Sequence, residues 1–283
     1  MMQIRVLFFS LSFFTSAWAL AFPLPQGDFA SLSFHTEVNT DYDFEGIVAL
    51  SNCSGSLVQF ENSKDSDQAL MFTNGHCVEF GFPKPGQILE NQNSSRRVNL
   101  MNSKAQLAGT VKAVRLLYAT MTSTDLAIYQ LQETYSQIKE KFHVSPLVLS
   151  ATHPQLAMPI EVISGYWRKG YSCSIEAFIP QLIEEGYHFA DSIRYSRPGC
   201  ETIGGTSGSP IVLSGTRDMV GINNTGNEDG QECTMNNPCE VDSEGNVSFE
   251  KGLSYAQQTF WVYSCLNAEN KLDLNQAGCQ LPK

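Results

Sequence analysis

Three short segments of the sequence contain residues that could together activate a hydroxyl group as a nucleophile. Ser207 stands in the glycine-rich run GGTSGSP. His76 follows the apolar run ALMF and is the only one of the five histidines with a cysteine directly after it. Asp125 comes immediately before the apolar run LAIYQL. A histidine that accepts the serine proton, held by a carboxylate on its other ring nitrogen, makes a serine reactive, so we predict that these three residues are catalytic.

The glycines around Ser207 add a second chemical function. Glycine at 205 allows a tight turn in which successive backbone N–H groups point into one small space. The N–H groups of Gly205 and Ser207 are therefore predicted to form an oxyanion hole, in which each donor contributes about 3 to 4 kcal/mol to transition-state stabilisation. A glycine- and serine-rich run by itself is more often a hairpin loop, so this prediction depends on His76 and Asp125.

The amino terminus has the pattern of a secretory signal peptide. One positive charge, Arg5, precedes an apolar stretch over 6–14, and the small residues that follow predict cleavage after Ala19. The stretch is too short for a membrane span, which needs about 20 apolar residues. We therefore predict a signal peptide over 1–19, a secreted or periplasmic protein, and no membrane association after cleavage.

The cysteines support the same compartment. Their number, eight, is even, which in an exported chain favours disulfides. A zinc site is disfavoured because Cys233 and Cys239 have neither a CxxC spacing nor a nearby histidine, so no metal is predicted. Eight cysteines allow about 105 connectivities. Pairing of sequence neighbours predicts these bonds: Cys53–Cys77, Cys173–Cys200, Cys233–Cys239 and Cys265–Cys279.

Composition limits the possible partners. The chain has 283 residues, 42% of them hydrophobic, which is typical of a folding chain. Its 29 acidic residues against 18 basic ones give a net charge of -11. Nucleic-acid binding depends on clustered lysine and arginine, whereas this chain has an excess of acidic residues. No nucleic-acid partner is therefore predicted.

The hydrophobic pattern predicts an all-β protein, with short alternating or apolar runs separated by turn residues. About six such runs lie on each side of a polar gap, which predicts a first β-domain over 28–134, a connection over 135–155 and a second β-domain over 156–283. The only helical signal is a short one at 259–266. An acidic stretch at 227–250 is predicted to be an exposed loop rather than a calcium site, because Gly245 is misplaced for an EF-hand.

Together, the motifs resemble those of the trypsin/chymotrypsin superfamily of serine peptidases. The segments CSGSL at 53–57 and TNGHC at 73–77 are similar to that family's CGGSL and TAAHC segments. TDLAI at 124–128 is similar to its DxxL strand, and GTSGSP at 205–210 is similar to its GDSGGP. The order histidine, aspartate, serine is also that of the family.

This resemblance implies two six-stranded antiparallel β-barrels with the active site in the cleft between them. It implies that Ser207 attacks a peptide carbonyl, His76 transfers the proton and Asp125 orients the imidazole, without a cofactor. Ser209, which stands where the family has a second glycine, is the weaker candidate nucleophile. In trypsin-like zymogens, an acidic residue just before the nucleophile binds a newly formed amino terminus. This sequence has Thr206 at that position, which is similar to bacterial glutamyl endopeptidases.

The resemblance also gives candidates for substrate specificity. Six residues before Ser207 lies Glu201, whose charge would favour a basic substrate side chain, and Asn224 is assigned to the same specificity pocket. Acidic endopeptidases place their determinants elsewhere, so the preferred residue stays open, as does the oligomeric state.

The sequence also bears on two other functions. A non-catalytic binding protein on the same fold is the alternative to a peptidase, although all three triad positions are present. An α/β-hydrolase needs a histidine after its nucleophile, and no histidine follows Ser207.

Overall fold

A computed structural model describes residues 41–283 of the chain. The predicted signal peptide, residues 1–19, lies outside the described residues, as does the start of the first predicted domain. Within 41–283 no helix has the length and apolar character needed to cross a membrane.

Almost all of the regular secondary structure in residues 41–283 is β-strand, as predicted. It has sixteen strands and one α-helix, α1 (Tyr135–Phe142). The strands before α1 are β1 (Ile47–Ala49), β2 (Ser54–Gln59), β3 (Gln68–Thr73), β4 (Ile88–Asn93), β5 (Arg97–Met101), β6 (Leu107–Thr120) and β7 (Leu126–Thr134). The strands after α1 are β8 (Leu147–Leu149), β9 (Pro159–Ser164), β10 (Lys169–Glu184), β11 (Tyr187–Tyr195), β12 (Pro210–Leu213), β13 (Asp218–Gly226), β14 (Cys239–Val241), β15 (Val247–Ser248) and β16 (Ser254–Gln258).

The first six-stranded barrel closes through β1. Its strands follow the order β1-β5-β6-β7-β3-β2, and β2 pairs again with β1, all antiparallel. Side chains alternate between core and solvent along the strands, as in β6, where Val111 and Ala113 are buried and Lys112 is exposed. Leu57, Met71 and other apolar side chains fill the interior.

The second barrel is built in the same way. Its order is β13-β12-β9-β10-β11-β16, and β16 pairs with β13 to close the ring. Ile160, Val162, Ile193 and Ile211 belong to its apolar core. The two closed, antiparallel, six-stranded rings confirm the predicted fold class.

Strand β8 connects the two barrels. It pairs in parallel with β2 of the first barrel and with β13 of the second, so one hydrogen-bonded sheet runs through both. A third apolar cluster contains Phe72 of the first barrel, Leu147 of β8, and Val212 and Met219 of the second barrel. The barrels are thus joined by backbone hydrogen bonds and by buried apolar surface.

Helix α1 lies in the predicted connection and was not expected from the sequence. Thr134 begins it with a capping box: its hydroxyl accepts from Gln137 N, and the Gln137 side chain accepts from Thr134 N. His143 ends the helix in the left-handed conformation. The T-x-x-Q spacing at 134–137 was the available signal. The predicted carboxy-terminal helix is a 3₁₀ helix over Phe260–Cys265.

The structure contains four disulfides, which join the pairs of sequence neighbours: Cys53–Cys77, Cys173–Cys200, Cys233–Cys239 and Cys265–Cys279. The acidic stretch 227–250 is not a simple loop, since β14 lies within it and pairs with β10. Asp242 in this stretch accepts hydrogen bonds from Glu244 N and from Asn246.

We predict that the cap of α1 contributes to stability. Thr134→Ala removes the hydroxyl that satisfies Gln137 N, and loss of such a cap costs about 1 kcal/mol. The free energy of unfolding, measured by guanidinium denaturation, should fall by that amount. Thr134→Ser keeps the hydroxyl and should stay close to wild type. Equal losses in both variants would show that the hydroxyl does not act as a cap.

Candidate active site

His76 is held by elements of the first barrel. It lies in a single 3₁₀ turn, Gly75–Cys77, directly after β3, and the disulfide from Cys77 to Cys53 fixes this turn to the segment before β2. Gly75 is required, because a Cβ at that position would lie 2.0 Å from the carbonyl oxygen of Thr120. Tight packing and a disulfide thus restrict the position of the imidazole.

Asp125 binds His76 with both carboxylate oxygens. Its Oδ2 lies 2.6 Å from His76 Nδ1, and its Oδ1 accepts a hydrogen bond of 3.1 Å from His76 N. Asp125 is fully buried, and its backbone oxygen accepts from the Asn74 side chain at 2.9 Å. This carboxylate therefore fixes the orientation of the imidazole and leaves Nε2 free to face a substrate or a nucleophile.

The electrostatic environment makes His76 a stronger base than a free histidine. Burial by itself lowers the pKa of His76, but the charge and hydrogen bond of Asp125, with a smaller contribution from the charge of Glu184, outweigh it. The net effect is a pKa above the ordinary value of 6.5. Protonation of His76 is therefore favoured, as is needed when a histidine accepts a proton during a reaction.

Ser207 is contributed by the second barrel and contacts the first. Ser54 N donates a 2.8 Å hydrogen bond to Ser207 O. The next residue, Gly208, has φ +80°, and a Cβ there would lie 2.2 Å from Ser54 O and 2.3 Å from Thr73 Oγ1. Since Thr73 ends the strand that leads to His76, the barrels bring the serine and histidine segments together.

The Ser207 hydroxyl is directed towards β13. Its Oγ donates to Asn224 O at 3.3 Å, and within residues 41–283 no hydrogen bond joins it to His76. Ser207 is partly exposed, whereas Ser209 is completely buried and its hydroxyl has no partner among the described residues. Only Ser207 of the two serines is accessible to a substrate.

The turn before Ser207 presents two free N–H groups. Thr206 N donates to Ile203 O, and Gly205 has φ +87°, which favours glycine. Gly204 O accepts from the indole of Trp167 at 2.8 Å. In the described part of the chain, neither Gly205 N nor Ser207 N donates a hydrogen bond. Both are available for an oxyanion.

A small polar cavity of about 40 Å³ lies beside Ser207. Asn224 lines it and is 4% exposed, and its Nδ2 has no hydrogen-bond partner within 41–283. Glu201, the other predicted specificity residue, does not line it; its side chain is exposed and accepts from Gly199 N. The acidic residue at the cavity is Glu228. It was not predicted from the sequence, because only the folding of β13 and the loop after it brings Glu228 to the cavity.

A second missed residue is Glu184, at the end of β10. Its side chain is 6% exposed, and burial raises its pKa.

Potential metal ligands are less informative: the one cluster found among the described residues comprises Cys53, His76 and Cys77, and its two sulfurs are joined in a disulfide.

Comparison with known proteins identifies the family. The family model described as trypsin-like peptidase domain matches residues 53–222. No curated protein matches the sequence.

Several solved structures are similar in fold. The MamO protease domain from Magnetospirillum magneticum is 13% identical, with 80% of this chain and 98% of that chain covered and a TM-score of 0.46. The active form of the Rv3671c protease from M. tuberculosis is 13% identical, with 85% and 84% covered and a TM-score of 0.45. A Nocardiopsis protease is 13% identical, with 76% and 92% covered and a TM-score of 0.43. The family match, which covers more than half of the sequence, shows that the chain belongs to the trypsin-like peptidase domain family.

Proposed function

We propose that this protein is an exported serine endopeptidase in which Ser207, His76 and Asp125 form the catalytic triad. The observation that carries the proposal is the 2.6 Å contact between His76 Nδ1 and the fully buried Asp125 carboxylate, on a segment packed against the Ser207 turn. A buried carboxylate in this position orients the imidazole and stabilises its protonated form.

The proposed reaction begins with attack of Ser207 Oγ on the substrate carbonyl carbon. His76 Nε2 takes the hydroxyl proton, and the N–H groups of Gly205 and Ser207 bind the oxyanion. His76 then gives the proton to the leaving amine, which breaks the peptide bond and leaves an acyl-enzyme ester on Ser207. A water molecule, deprotonated by His76, hydrolyses the ester and restores the serine.

A polypeptide substrate fits the open edge of β13. Up to Asn223 this edge is hydrogen-bonded to the segment around β12, since Asn223 pairs with Gly208 and Ser209. Beyond it, Asn224 O faces the Ser207 hydroxyl. An extended peptide could pair with residues 224–226 as an added strand, which would place its carbonyl at Ser207.

The four disulfides favour an oxidising compartment, and with the predicted signal peptide they support the proposal of export. The alternative is a non-catalytic binding protein. The hydrogen bond from the Ser207 hydroxyl to Asn224 O is the feature that favours it, because catalysis requires this hydroxyl to turn to His76.

We expect the purified protein to react covalently with a fluorophosphonate probe at Ser207. Ser207→Ala should abolish labelling and reduce kcat on peptide substrates by about 10⁶-fold. Ser209→Ala is the matched control, since its hydroxyl is buried and unpartnered, and it should label like wild type. Peptide mapping locates the adduct. A folded wild-type protein that does not label would support the binding protein instead.

The raised pKa of His76 predicts the pH dependence of the reaction. Because the free imidazole is the active form, kcat/KM should rise with pH through a midpoint above 6.5. Asp125→Asn removes the largest effect that raises this pKa, so the midpoint should move to lower pH while kcat falls by about 10⁴-fold.

A second histidine provides the control for this pH profile. His153 also contacts an aspartate, Asp191, at 3.0 Å, but belongs to the proposed connection between the barrels. His153→Gln should leave the midpoint unchanged. If His153→Gln shifts the midpoint of kcat/KM and Asp125→Asn does not, the assignment of His76 as the base is wrong.

A further inference from the structure

The carboxylate of Glu184 lies behind the wall of the cavity beside Ser207. Its Oε1 accepts a 2.7 Å hydrogen bond from Asn236 N and a 3.1 Å hydrogen bond from Thr225 Oγ1. Both donors belong to residues that line the cavity. Glu184 is therefore connected directly to the surface on which a substrate would lie.

Glu184 forms no direct ion pair within residues 41–283, and the cation whose charge acts on it there is the protonated form of His76. None of the ion pairs within 41–283 involves it, and its second oxygen, Oε2, forms no hydrogen bond there. Burial raises its pKa despite the two hydrogen bonds to Oε1. A buried carboxylate in this state gains strongly from a cation that comes within reach.

Strand pairing identifies the substrate residue that would reach Glu184. In an antiparallel pair, residues directly opposite each other place their side chains on the same face. The substrate residue under attack lies opposite Asn224, whose carbonyl faces the Ser207 hydroxyl. The substrate residue immediately before the one under attack lies opposite Thr225 of the protein. The Thr225 hydroxyl donates a hydrogen bond to Glu184.

We propose that Glu184 determines specificity for lysine or arginine at the substrate residue immediately before the one whose carbonyl is attacked. This inference rests on the proposed peptidase function. Glu184 does not itself line the cavity beside Ser207, although its partner Thr225 does, so the proposed subsite adjoins that cavity. Glu201 and Glu228 are exposed, so water and salt screen their charges, whereas the Glu184 charge is shielded from solvent.

The test uses pairs of fluorogenic peptides that differ only at this residue, lysine in one and methionine in the other. We expect wild-type kcat/KM to be at least about tenfold higher for the lysine peptide, the lower end of couplings between close charge pairs at interfaces. Glu184→Gln keeps the size of the side chain and an acceptor for Asn236 N. It should reduce the ratio to about one, mainly by slowing cleavage of the lysine peptide.

Glu185→Gln is the matched control. It removes the same charge from the next residue, which is exposed, and should leave the ratio unchanged. An unchanged ratio in active Glu184→Gln protein, or an equal loss in Glu185→Gln, would overturn the inference.

The wild-type ratio is a test that needs no variant. A wild-type enzyme that cleaves both peptides equally well overturns the Glu184 inference while the peptidase function stands. A wild-type protein that cleaves neither peptide and does not react with the fluorophosphonate overturns the proposed function itself.

Discussion

The candidate active site depends on the hydrogen bonds of one buried residue, Ser54. Its N–H donates to Ser207 O, its carbonyl accepts from Thr73 Oγ1, and its hydroxyl contacts Ser164 Oγ, Tyr166 N and Gly205 O. A fully buried polar residue must have its groups satisfied, and here the partners come from both barrels. The segment that leads to His76 and the turn that holds Ser207 are thereby held together, so the proposed chemistry relies on the contact between the barrels.

The charges near this contact are mostly negative. Asp125 is used by His76, Glu184 lies under the open edge of β13, and Glu228 lines the cavity. Negative charges of this kind would favour the imidazolium of the proposed mechanism, and they also favour cationic over anionic ligands. One arrangement of carboxylates can therefore act on both proton transfer and selectivity.

The sequence was informative where the proposed chemistry depends on residues that are neighbours along the chain. His76, Asp125 and Ser207 each stand beside a strand end with a distinctive neighbour, so the motifs could be found without knowing the fold, and the alternating pattern was enough to predict the β architecture. Glu184 and Glu228 could not be found in this way. They approach the site only because β10 and β13 belong to one barrel, and no spacing from Ser207 encodes that. Helix α1 was missed for a different reason: its eight residues give a weak periodic signal, and only the capping box marks it.

Strand β8 opposes rotation of one barrel against the other. Two domains joined by a loose linker can rotate about it and close on a ligand. Here the connection contains strand β8, which is bonded in parallel to β2 on one side and to β13 on the other. A hinge at this point would break backbone hydrogen bonds in both barrels at once. The two barrels are therefore expected to keep their relative position, and a polypeptide bound as the proposed added strand would have to adopt an extended conformation to fit this fixed surface.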